Sequence, residues 1–249
     1  MIIRIRIRNS GSAARGLRTV YDDGMEKTRI LDVRGLFDLL LDAMGPTHWW
    51  PAETRFEIVL GAVLVQNASW TNAEAALDAL RAADLLRPAA IVALPDAELE
   101  AMVRPAGFYR AKSRYLKALC AWLTTLPGEG PDFPQRVVGR GDDDLRRDLL
   151  AVPGVGGETA DDILLYVFDR PAFVADTYAR RLFEALGVAD LPKSYEGFRR
   201  RVMPHILTDE WSIADLKEFH GLIDEHGKTC RTPDDWRRSV VAGCRLDLP

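Results

Sequence analysis

The chain has 249 residues, 47% hydrophobic and 28% charged, with 33 Lys plus Arg against 37 Asp plus Glu for a formal charge of −4. These totals fit a globular protein with room for a core in one large or two modest domains. They exclude a chain that is basic throughout, though a local concentration of donors is enough to bind phosphate, and a mildly acidic enzyme with small-molecule substrates stays open at this point.

The first 24 residues differ from the rest. IIRIRIR alternates as a strand does, and NSGSAARG reads as linker. An edge hairpin, a basic arm or leader residues all fit, and a poorly ordered arm over residues 1–25 is the expectation. Beyond it the apolar residues recur with helical period. Helices are predicted over Val33–Met44, Phe56–Gln66, Asn72–Ala83, Pro88–Leu94, Asp96–Val103 and Ala111–Thr124. A loop rich in Gly, Pro and Asp leads to Leu145–Val152, followed by Ala160–Phe168, Thr177–Ala185, Tyr195–Met203, Ile213–His226 and Pro233–Val241. The fold class read from this pattern is all-α.

No apolar run approaches the roughly 20 residues that cross a bilayer, so no membrane contact is expected. The N-terminus lacks the apolar segment of a secretory signal, and three cysteines make no disulfide framework. A cytoplasmic setting is expected, nucleoid-associated if the source is bacterial.

The most informative stretch is LLAVPGVGGETADDILLYVF, residues 149–168, where a proline and three glycines separate two apolar runs. Gly154 and Gly156 can turn the chain within a few residues and let another backbone approach. The first N–H groups of the following helix have no intrahelical partner and lie at the positive end of its dipole, which suits a phosphate. A tight helix–helix connection without a ligand is the plain alternative.

The string PGVGGETA resembles the helix–hairpin–helix motif of the endonuclease III superfamily of DNA glycosylases. RPAGFYRAKSRYL (104–116), LGAVLVQNASWTNAEAAL (60–77), FVADTYARRLFEALG (173–187) and FHGLIDEHGKTC (219–230) are similar to further segments of that family, in the family's order. The resemblance implies two helical domains flanking a cleft. Residues 52–169 would form a six-helix barrel with the hairpin, and residues 26–51 and 170–249 a second domain. It also implies a DNA contact through Gly154, Val155, Gly156, Gly157 and Thr159, where the family often binds a monovalent cation. Gln66 matches the residue that fills the gap left by the flipped nucleotide. Arg110, Lys112 and Arg114 would lie on a loop and helix start able to meet phosphate, with a solvated charged face as the default.

Asp176 precedes a predicted helix and can serve as its N-cap. The resemblance places it on the family's catalytic aspartate, where a carboxylate stabilises the oxocarbenium-like sugar and orients or deprotonates water. Glu158 stands where bifunctional members carry the lysine that forms a Schiff base, and a carboxylate cannot do so. Both are candidate catalytic residues, and base excision without efficient lyase activity is expected. Glu158 alone would also be favourable as a charge in a first helical turn.

Trp49, Trp50 and Trp70 are three of the six tryptophans. Core packing explains one such residue readily. Two adjacent tryptophans before a proline resemble the WWP segment of the 3-methyladenine glycosylase branch, which with an aromatic after the glutamine loop sandwiches the base. N3-alkylation makes adenine cationic, so aromatic faces would favour it and little acid catalysis would be needed. The expected partner is double-stranded DNA containing damaged bases, and the expected state a monomer. A glycosylase for uracil, mismatched thymine or oxidised pyrimidine, and a non-catalytic reader of damaged DNA, are the rival readings.

Family members commonly end in four cysteines, C-x6-C-x2-C-x5-C, that hold a [4Fe–4S] cluster. Here Cys230 and Cys244 are the cysteines of the C-terminal segment and Cys120 lies far upstream. No cluster and no metal at the four histidines are expected; His220 and His226 fall on different faces of a helix.

Overall fold

The computed structural model describes residues 17–21, 27–128 and 130–249; the IIRIRIR and NSGSAARG segments lie outside them. Leu17–Tyr21 (β1) and Lys27–Leu31 (β2) pair antiparallel, so the arm expected to be poorly ordered contributes a strand. Val33–Met44 (α1) begins where the Asp32 carboxylate accepts the Gly35 N–H at 2.7 Å, and its buried Val33, Leu36, Phe37 and Leu40 follow the helical period.

Arg55–Leu64 (α2) is capped by Thr54 and Trp70–Ala82 (α3) by Ser69. Pro88–Ala93 (α4), Asp96–Val103 (α5) and Tyr109–Thr124 (α6) follow. The loop after α6 contains a short helix, Phe133–Arg136 (α7), that no periodicity predicted. Asp142–Leu150 (α8) and Gly157–Asp162 (α9) are the helices of the predicted hairpin. Past α9 the chain widens to a π turn over Ile163–Val167, with Phe168 N–H bonding the Ile163 carbonyl at 3.1 Å.

Thr177–Ala185 (α10), Tyr195–Ile206 (α11), Ile213–Thr229 (α12) and Pro233–Arg238 (α13) complete the helices. Cys244–Leu246 (β3) pairs parallel with β2, giving a three-stranded sheet in the order β1-β2-β3. The molecule is otherwise helical among the described residues.

The chain forms two compact units, Met1–Trp49 with Phe173–Pro249, and Trp50–Ala172. The first is built around Phe37, Phe173, Phe183, Phe198 and Phe219, all buried. Their rings meet edge-on or tilted at 5.2 to 6.4 Å, the arrangement the ring quadrupole favours. The second buries Phe56, Phe133 and Phe168 together with the apolar faces of α2, α3, α6 and α8.

Candidate active site and nucleic-acid interface

The hairpin belongs to the second unit. Its turn is closed by Val155 N–H on the Val152 carbonyl at 3.1 Å. Gly154 has φ +86°, and a Cβ there would overlap the Tyr115 ring, so both backbone conformation and space require glycine. Gly156 starts α9 in an extended conformation and supplies no side-chain cap. The first amides of α9 therefore have no capping group from their own helix. Arg146 on α8 forms a two-pronged pair with the fully buried Asp161 on α9, at 3.0 and 3.1 Å, which locks the two hairpin helices together.

Gln66 lies against this hairpin. Its amide donates to the Gly154 carbonyl and to the Thr159 hydroxyl, each at 3.0 Å. The side chains of Val155 and Thr159 are buried, whereas Gly156 is exposed. Glu158 occupies the first turn of α9. Although it keeps an exposed surface, desolvation by the surrounding protein raises its carboxyl pKa above the ordinary value.

Trp50 and Trp70 come together in the same unit, their rings 5.8 Å apart and edge-on. A third member, unannounced by any motif, is the buried Tyr166 of the π turn, whose ring meets Trp50 at 5.6 Å. Trp50 also approaches α2 closely enough that a Cβ at Gly61 would touch it at 3.5 Å.

Lys112 departs from expectation. It does not present its charge for phosphate: it is buried, and its Nζ donates to the carbonyls of Leu64 at 2.8 Å and Ala106 at 2.7 Å. It ties the C-terminal end of α2, two residues before Gln66, to the turn that precedes α6. Burial lowers its pKa. Arg110 and Arg114 remain at the surface.

In the first unit, Asp176 caps α10, its Oδ1 accepting the Ala179 N–H at 2.7 Å. This bond leaves the carboxylate half-exposed and fixed in direction. Trp49 packs on α12. The Glu218 carboxylate accepts the N–H groups of Thr47 and His48, and a Cβ at Gly221 would collide with Thr47 Oγ1 and Trp49 Cβ. The Lys228 ammonium lies 4.4 Å from the centre of the Trp49 ring. The Trp49 face expected to attract a cationic base is thus already engaged by a cation of the protein itself.

Cys230 is buried with its Sγ 3.5 Å from His226 Nε2, Cys244 lies on β3, and Cys120 is buried in α6 of the other unit. Two thiols in the C-terminal unit do not match a four-thiolate cluster.

A helical scaffold with a glycine hairpin and an acidic cap on the next long helix defines a class of base excision DNA repair protein. Residues 60–204 match the model of the HhH-GPD superfamily of base excision DNA repair proteins. A Methanocaldococcus jannaschii protein that carries the name of a DNA repair glycosylase is 38% identical over 211 residues, spanning 83% of this chain and 92% of that one. The structure of the H. pylori 3-methyladenine DNA glycosylase MagIII bound to 1,N6-ethenoadenine matches with a TM-score of 0.65 and 29% identity, over 81% of this chain and 100% of that one. An endonuclease III trapped as a covalent intermediate on DNA matches at 0.61 and 25% identity, over 81% and 87%. The chain belongs to the HhH-GPD superfamily. Its place in that superfamily is as a DNA glycosylase of base excision repair.

Proposed function

We propose that this glycosylase is monofunctional and acts on alkylated purines, 3-methyladenine among them, in double-stranded DNA. The observation that carries the reading is Glu158 in the first turn of α9, a carboxylate at the position where a Schiff-base lysine would stand. Asp176, directed by its cap, stabilises the positive charge that develops on the sugar and orients the attacking water. Glu158 is the second catalytic carboxyl. Trp49, Trp50 and Trp70 contact the extruded base.

The amides of Gly154 to Gly157 receive a backbone phosphate, with a monovalent cation at the same turn, and the buried Thr159 supports them through Gln66. To fill the gap in the helix, Gln66 exchanges its two hairpin bonds for bonds to DNA. The similarity to MagIII supports the substrate class, and the two C-terminal thiols support the absence of an iron–sulfur cluster. The protein acts as a monomer in the cytoplasm.

Release of free base from duplexes carrying 3-methyladenine, 7-methylguanine, 1,N6-ethenoadenine, uracil, mismatched thymine or an oxidised pyrimidine tests the reading. Excision of alkylated purines without borohydride trapping on DNA is expected. Release of an oxidised pyrimidine alone, or efficient trapping of the unmodified protein, overturns it. Glu158→Lys should weaken alkylpurine excision and permit trapping.

A further inference from the structure

Lys228 is held in place from three sides. Its Nζ lies 2.6 Å from Asp224 Oδ2, 2.8 Å from Glu225 Oε1 and 4.4 Å from the Trp49 ring centre. Gly221 and Lys228 are two turns apart on α12 and lie on one side of that helix. Gly221 admits the base of the Trp49 side chain, and Lys228 covers its ring. Desolvation would lower the Lys228 pKa, but its bonds to Asp224 and Glu225 outweigh that effect and leave it raised, so the group is cationic at neutral pH.

An aromatic ring attracts a cation through the negative charge of its faces. A ring that already carries an ammonium on one face has less to offer a second cation. On the same face the two compete for space, and on the opposite face the second cation meets the first across the ring. A neutral flat base depends on dispersion and stacking, which the ammonium leaves intact.

We infer that Lys228 is a specificity-determining residue: placed on Trp49 by Asp224 and Glu225, it turns the enzyme from cationic alkylpurines toward neutral ones. This rests on the reading of Trp49 as part of the base-contacting wall. N3-methyladenine and N7-methylguanine are the cationic class, and 1,N6-ethenoadenine the neutral one.

Lys228→Met keeps the length and apolar stem of the side chain and leaves two carboxylates beside the ring. In single-turnover excision it should raise the cationic-to-neutral ratio of kcat/KM by about 2- to 30-fold, the range of a cation–π contact. Lys228→Arg, which keeps the charge, should hold the ratio within about twofold of the original. Melting temperatures of both variants would identify any loss of fold, which lowers both rates together and leaves the ratio unchanged. An unchanged ratio in a folded, active Lys228→Met protein overturns the inference and spares the proposed function. Absence of alkylpurine excision by the unaltered protein overturns the proposed function itself.

Discussion

Asp176 combines two duties that a single substitution can separate. Its side chain caps α10 through one oxygen, and asparagine caps a helix about as well as aspartate. Asp176→Asn should therefore change stability by less than about 0.5 kcal/mol while lowering excision by about 10²-fold or more, since the charge that opposes the developing cation is gone. Thermal unfolding together with single-turnover base release reads both quantities. Retention of full activity would remove Asp176 from the mechanism. Gly154 shows a different constraint at the same scale: its conformation forbids a side chain and the Tyr115 ring fills the space where one would go. Lys112 shows a third, a charge used internally because the carbonyls of Leu64 and Ala106 would otherwise be buried together without this donor.

At the scale of elements, the hairpin is rigid because α8 and α9 are tied by a buried ion pair as well as by apolar packing. The Asp161 carboxylate is fully buried, so removing its partner leaves a charge where water cannot reach it. Arg146→Met should destabilise the protein by about 3 kcal/mol and weaken binding to an abasic-site duplex beyond the loss of folded protein, as the turn loses its fixed geometry. Denaturant unfolding and a binding isotherm at a temperature where the variant is folded check this. Local signals placed many helix ends. α1, α5 and α10 begin and end where predicted, because a cap or a breaker stands beside each boundary. α6 starts two residues before its predicted onset, at Tyr109, since Phe108 adopts a left-handed φ of 46° that periodicity does not encode. α11 continues through Pro204 to Ile206, where a reading of the sequence stops at Met203.

Across the whole molecule, the strand before α1 and the last residues of the chain meet in one unit. β3 pairs with β2, Asp247 N–H bonds the Leu31 carbonyl at 2.7 Å, and Leu246 N–H bonds Leu186 at 3.0 Å. The same unit holds two histidines that burial keeps neutral. The pKa of His220 falls to about 4, first through desolvation and then through the nearby Lys228 charge, and desolvation lowers that of His226. An unfolded histidine titrates near 6.5. Between that value and about 4 the unfolded chain takes up protons that the folded one refuses, so stability is whole above pH 6.5 and declines as the pH falls. Glu158, with its raised pKa, works in the opposite sense over the range where it gains a proton. The melting temperature should drop between pH 7 and pH 5, and His220→Gln should reduce that drop; an equal drop in both proteins would contradict it.

The helical class, many of the helix boundaries, the hairpin and the acidic cap at Asp176 were legible in the residues alone, because turns, caps and apolar period act between residues a few positions apart. The partners of distant residues came from the three-dimensional packing: β3 on β2, Gln66 on the hairpin, Tyr166 beside Trp50, Lys112 buried in the second unit and Lys228 on Trp49. Each of these joins segments far apart along the chain. A lysine reads as a solvated charge until the fold shows which carbonyls, carboxylates or rings surround its ammonium.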